Sequence, residues 1–374
     1  MDILTETRNH VAFMTLNRPA ALNALSLEMV TELIAVLRAH AANPEVRALL
    51  IRGSGDRAFC AGGDIRALYE SVQRSTPLHE EFFAAEYRLD YLLQTYPKPF
   101  IAVMDGITMG GGMGIAQGSR LRVVGERTRI AMPEVGIGLF PDVGGSYFLS
   151  RLPGALGTYL ALTGVQIRAA DALYSQLADV YLTPAAVAAL PARLDALDWS
   201  EDAASDLRGL VHSLAAGDLA PSELAARDLA APSLSGLRSA IDSHFGLANV
   251  PAILASLDSE TRPEYAAWAA TTAKLMRTRS PTMLCVALRQ LERGRDMTLA
   301  DCFRMELGMV RHCLRQPDFS EGVRAVIVDK DNAPRWTPSR LEDVDTASVE
   351  AFFQHSWDGG IHPLADLERS SVHA

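Results

Sequence analysis

The chain has 374 residues, 48% hydrophobic and 21% charged, the balance of a folded globular protein and not of a disordered or fibrous one. Its 45 acids against 35 bases give a formal charge of −10, which excludes broad attraction to nucleic acid or to an anionic membrane. Only three of the 35 bases are lysines (Lys98, Lys274, Lys330), so an anionic ligand must be held by local arginines and backbone amides.

Four cysteines, Cys60, Cys285, Cys302 and Cys313, show no C-x-x-C spacing and build no disulfide framework. The N-terminus, MDILTETRNH, is charged from Asp2 onward and lacks the apolar core of a signal peptide. The nearly uncharged stretch Gly106–Ser119 is broken by glycines and too short to span a bilayer. A reducing, cytoplasmic setting is the expectation.

In chain order, Val11–Leu16 reads as a strand that stops at Asn17-Arg18-Pro19. Ser26 then reads as the cap of a helix carrying Leu27, Val30, Leu33, Ile34 and Leu37 at helical spacing. Val46–Ile51 reads as a buried strand, followed by a long glycine-rich turn, Gly53–Asp64, and by helices over Ile65–Gln73 and Leu78–Tyr96. Phe100–Met104, Leu121–Val124 and Arg129–Met132 read as further strands. Strands separated by helices of this length imply parallel crossovers, hence an α/β core. Beyond Leu152 strand signals nearly vanish, and long Ala/Leu/Arg segments such as Thr298–Leu314 read as helical. The organisation expected is therefore an α/β catalytic core over residues 1–215 and a helical region over 216–374, joined near residues 214–236.

P-loop, dinucleotide-fingerprint, zincin and nucleophile-elbow motifs are missing, and the nine histidines show no metal-ligand spacing. Two glycine-rich turns stand out instead, each after a strand: Phe59-Cys60-Ala61-Gly62-Gly63-Asp64-Ile65 and Met109-Gly110-Gly111-Gly112-Met113-Gly114. Glycines here let a substrate oxygen approach backbone N–H groups, and two such amides would form an oxyanion hole. The bland alternative is a pair of tight turns at close packing. Glu134 and Asp142 then lie in an apolar, glycine-rich stretch, where desolvation would raise their pKa values and suit them to proton transfer. Their bland alternatives are a cap on a helix near Gly144 for Asp142 and an ion pair with Arg129 for Glu134. Cys60 has no histidine near it in sequence and reads as small core filler.

These segments resemble the crotonase (enoyl-CoA hydratase/isomerase) superfamily. Its signatures appear as Asn17-Arg18-Pro19, Asn23-Ala24-Leu25, Ala61-Gly62-Gly63-Asp64, Gly110-Gly111-Gly112 and Pro133-Glu134. The stretch Gly138-Leu139-Phe140-Pro141-Asp142-Val143-Gly144-Gly145, with Ser280-Pro281-Thr282, Leu288–Leu291, Asp318–Ala325 and Asp329-Lys330-Asp331, is similar to the hydrolase branch of that family. The resemblance implies a spiral of ββα turns with a helical C-terminal region over the active site. It implies hydrolysis of a short hydroxyacyl-CoA, 3-hydroxyisobutyryl-CoA by expectation, in valine catabolism. Enoyl-CoA hydration or isomerisation and non-catalytic acyl-CoA binding are the alternatives.

Carried over by position, the resemblance makes the Gly63 and Gly111 amides the oxyanion hole, and Glu134 and Asp142 the catalytic acids. Glu86 becomes a substrate-contacting acid, its alternative being a solvated helix face. Ala61, Asp64 and Ile65 fall around the CoA moiety, with Arg66 and Arg18 as phosphate partners. No metal and no cofactor are expected beyond the CoA carried by the substrate, and self-association is the family's common form. Hydratases carry a second glutamate two residues after the triple glycine, where this chain has Gly114. That departure argues against efficient hydration, unless Asp142 substitutes from the other side. Truncation near residue 220 is expected to destroy activity.

Overall fold

The computed structural model describes residues 1–215 and 234–370. The expected junction at 214–236 falls mostly outside them. Among the described residues, nine strands form two sheets. Strands β1 (Ile3–Arg8), β2 (Val11–Leu16), β3 (Ala48–Gly53), β5 (Phe100–Val103), β7 (Leu121–Val124) and β9 (Val180–Tyr181) make a six-stranded sheet in that spatial order. Only the β1–β2 pair is antiparallel. Strands β4 (Ala58–Cys60), β6 (Ile107–Met109) and β8 (Arg129–Ala131) make a second, parallel sheet.

Successive chain segments thus lay one strand in the large sheet, one in the small sheet, and then a helix: β3–β4–α2 (Ile65–Arg74) and β5–β6–α4 (Gly111–Gln117). This is the ββα spiral that the resemblance implied. The expected strands from Val11 through Met132 all form, within two residues at each end. β1, β4, β6 and β9 were not anticipated. β4 lies inside what reads as one long turn, because three residues between glycines offer no periodicity.

Apart from the edge strand β1, which is exposed beyond Ile3, the large sheet is buried on both faces, which is why strands such as β2 and β3 read as apolar runs. Val11, Phe13, Leu50, Ile101 and Val123 pack under the helices Pro184–Asp195 and Ala203–Ala215. Alternate residues Met14, Leu16, Leu49, Ile51 and Ala102 point to the main core. There they meet α1 (Leu27–Ala42), capped by the Ser26 hydroxyl at the Met29 amide, and α3 (Leu78–Gln94). Ile253, Leu284, Phe303, Val310 and Phe319 of the C-terminal helices belong to that same core. The two regions are therefore welded by shared apolar surface.

Candidate active site

The three strands of the small sheet run parallel and side by side, so their C-terminal ends deliver three loops to one place. β4 leads into Ala61-Gly62-Gly63, β6 into Gly110-Gly111, and β8 into Met132-Pro133-Glu134. The first two turns touch: a methyl group on Gly62, whose φ is +101°, would lie 3.5 Å from the Gly111 nitrogen. The contact is an ordinary one, and it is the positive φ that favours glycine there. The strand-like contact of Leu25 with this turn uses the Gly62 carbonyl and the Asp64 amide. Among the described residues the Gly63 and Gly111 amides therefore donate no hydrogen bond.

Both glycines line a cavity of about 70 Å³ with Ala61, Ile65, Phe82, Phe83, Glu86, Met109, Pro133, Glu134, Ile137, Leu139 and Asp142. Seven of the nine expected site residues meet here. Asp64 and Arg66 do not line it. Asp64 caps α2 at the Ala67 amide and pairs with Arg18 at 3.0 Å, and Arg66 donates to the Ile327 carbonyl.

Among the described residues, the acids of the site are buried with no ion-pair partner. Glu86 is 2% exposed, Glu134 5% and Asp142 4%, and Asp90, one turn beyond Glu86 on α3, is fully enclosed. Glu86 Oε1, Glu134 Oε2 and both Asp90 oxygens have no hydrogen-bond partner among the described residues. Burial, then the Asp142 charge, pushes the carboxyls of Glu86 and Glu134 well above the usual range. Asp90 is raised by burial and by Glu86. Asp142 is raised to about 6 by burial, against the 2.7 Å hydrogen bond that Tyr87 Oη donates to its Oδ2. Pairs of coupled acids with separated affinities for protons suit general acid–base work.

The bland readings of these acids fail. Asp142 caps no helix through its side chain, and Glu86 faces no solvent. Glu134 is not bound to Arg129, whose guanidinium donates to the Thr128 carbonyl. Cys60 is the enclosed filler that the sequence suggested, its thiol pushed up to about 12 by burial. In the segment Asp329-Lys330-Asp331, Arg324 pairs with both acids.

Four contributors escaped the sequence reading: Tyr87, Asp90, Glu306 and Gln290. A methyl group on Gly114 would lie 2.6 Å from Asp90 Oδ1, so the acid on α3 fills the space beneath α4 where a side chain at 114 would begin. Glu306 lies on the helix Leu299–Cys313 among Phe303, Met305, Leu307, Met309 and Val310. That is the same signal, an acid in an apolar run, which singled out Glu134.

The family model for enoyl-CoA hydratase/isomerase matches residues 11–353, spanning both the core and the C-terminal helices. The chain belongs to that family. It is 38% identical over 354 residues to the mitochondrial 3-hydroxyisobutyryl-CoA hydrolase of Gallus gallus, covering 94% of this chain and 89% of that one. The 3-hydroxyisobutyryl-CoA hydrolase 1 of Arabidopsis thaliana is 36% identical, with 94% and 91% covered. Among solved structures, a carnitinyl-CoA dehydratase from Mycobacterium thermoresistibile superposes with a TM-score of 0.84 at 37% identity, covering 95% and 96%. An enoyl-CoA hydratase from Rhodobacter sphaeroides gives 0.81 at 35%, covering 94% and 97%. The name of the Gallus relative places it in mitochondria, so the cytoplasmic expectation gains no support there. Among the described residues no helix is long and apolar enough to cross a membrane.

Proposed function

We propose that this family member hydrolyses a short hydroxyacyl-CoA thioester, with 3-hydroxyisobutyryl-CoA as the substrate to test first. The observation that carries the reading is the pair of uncommitted amides, Gly63 and Gly111, in one cavity with Glu134. Two N–H groups aimed at a thioester carbonyl oxygen stabilise the oxyanion formed when a nucleophile adds, each donor typically contributing about 3–4 kcal/mol to the transition state. Ionised Glu134 either attacks the carbonyl carbon, expelling CoA thiolate and leaving a mixed anhydride for water to open, or takes a proton from water as that water attacks. Glu86 and Asp142 line the same cavity and supply acceptors for a hydroxyl on the acyl chain. Ala61 and Ile65 would meet the pantetheine side of CoA, and Asp64 and Arg66, outside the cavity, its nucleotide side.

The names of the curated relatives support the hydrolase, whereas the titles of the two solved structures favour adding or removing water at an enoyl-CoA. The hydratases that the chain resembles place a second glutamate on the helix after the triple glycine, and this helix carries none into the cavity, since Gly114 backs onto Asp90, which leaves only Glu86 and Asp142 to stand in for it. We therefore favour hydrolysis, a step of valine breakdown, with no cofactor beyond the substrate's own CoA and with self-association as a further expectation. The test is thiol release from 3-hydroxyisobutyryl-CoA and isobutyryl-CoA beside loss of enoyl absorbance from crotonyl-CoA. Thiol release that needs the hydroxyl supports the proposal. Enoyl loss without thiol release overturns it.

A further inference from the structure

The segment that carries both catalytic acids of the reading above, residues 134–146, has little regular structure of its own. It is a 3₁₀ turn at Glu134–Gly136 followed by loop up to the short helix Gly145–Phe148. Its backbone is held instead by the C-terminal helices. The Ser280 amide donates to the Val135 carbonyl at 3.2 Å, and the Cys313 thiol to the Gly138 carbonyl at 3.1 Å. The Gln290 side-chain amide, fully buried, donates to the Pro141 carbonyl at 2.6 Å and to Ser146 Oγ at 2.8 Å. Glu306 is also fully enclosed. Its two oxygens each accept one backbone hydrogen bond of 2.8 Å, from the Gly144 and Ser146 amides. Those amides flank Gly145, whose own N–H donates to the Asp142 carbonyl at 2.7 Å.

We infer that Glu306 is a positioning residue: by gripping the Gly144 and Ser146 amides it fixes the turn on which Asp142 stands, and it thereby makes the catalytic site dependent on the C-terminal helical region. An enclosed carboxyl is costly to bury. A residue serving packing alone at this place would be apolar, as its neighbours Phe303, Met305, Leu307 and Met309 are. Gly144 has a φ of +86°, so the turn adopts a backbone that few sequences hold unaided. A clamp on both sides of it is a physical means of keeping one conformation. Tyr87 holds the side chain of Asp142 from α3, and Glu306 holds the Gly144 and Ser146 amides of the turn that follows it, so the acid and its turn are fixed from two elements.

The inference rests on the proposed role of Asp142, and its test separates the two. Glu306→Gln keeps the volume but has one carbonyl oxygen for two amides. Turnover of 3-hydroxyisobutyryl-CoA should fall in kcat by about 10- to 100-fold with KM within about twofold, the cost of a misplaced group and not of lost binding. In the Asp142→Asn background the same change should cost less than about twofold, because the residue it positions is already disabled. Hydrogen exchange at the Gly144 and Ser146 amides should quicken in Glu306→Gln and stay slow in Asp142→Asn. An equal loss of kcat in both backgrounds, or unchanged kcat in Glu306→Gln, overturns the inference. Should wild type release no thiol, the functional reading fails, and the same cycle read on crotonyl-CoA decides the positioning role. If Glu306→Gln is recovered only as aggregate, Glu306→Asp, which keeps the carboxyl group but falls short of the turn, replaces it in the cycle under the same criteria.

Discussion

Placing Asp142 in an enclosed pocket has a measurable energetic consequence. Its carboxyl ordinarily loses its proton near 3.8, whereas burial in the folded chain raises that to about 6. The folded state therefore holds this proton more tightly than the unfolded state does. Well below 3.8 both states are protonated and folding bears no penalty. As pH rises from 3.8 through about 6 the unfolded chain ionises while the folded one resists, and stability is lost. The difference of about two pH units amounts to about 3 kcal/mol at full ionisation, of which about 1.4 kcal/mol develops between pH 5 and 7.5. Asp142→Asn removes this titration while its carbonyl oxygen still accepts from Tyr87. Urea unfolding of wild type and variant at pH 5 and pH 7.5 measures it. The loss of stability across that interval should be smaller in the variant by about 1–2 kcal/mol. Equal losses in the two proteins, or a wild type that gains stability relative to the variant as pH rises, would refute the reasoning.

Other consequences are as direct. Tyr87→Phe removes the donor that favours ionised Asp142, so the acid limb of the kcat/KM profile should move upward by about one pH unit. Gly138 has a φ of +71°, and a methyl group there would overlap the Asp318 carbonyl oxygen. Gly138→Ala should therefore cost more than about 2 kcal/mol, visible as a lowered melting temperature. The Cys60 thiol, held near 12, should resist alkylation by iodoacetamide at neutral pH, and Cys60→Ala should keep turnover within about threefold.

The parts of this molecule that could be read from the sequence are those whose physics is local. Long apolar strands such as Val11–Leu16, the Ser26 cap and the two glycine turns announce themselves within a few residues. So does an acid inside an apolar run, which marked Glu134 and Asp142. β4 and β6 stayed hidden because they are three residues long and exist only through pairing with each other and with β8. Asp90 stayed hidden because its meaning depends on Gly114, brought beneath α4 by the fold. Arg66 and Arg18 were read as phosphate partners from their position alone. In the fold Arg66 donates to the Ile327 carbonyl and Arg18 pairs with Asp64, contacts no sequence pattern foretold. Glu306 was legible by the rule that found Glu134, but its partners lie 160 and 162 residues away in the chain.

The central claim is that Glu134, facing two free amides, breaks the thioester. It is tested by thiol release from 3-hydroxyisobutyryl-CoA with wild type and Glu134→Gln at equal enzyme and saturating substrate. Because the amide can neither attack nor accept a proton, the account predicts a fall in kcat of at least about 10²-fold with the fold retained. Release by Glu134→Gln at the wild-type rate would contradict it.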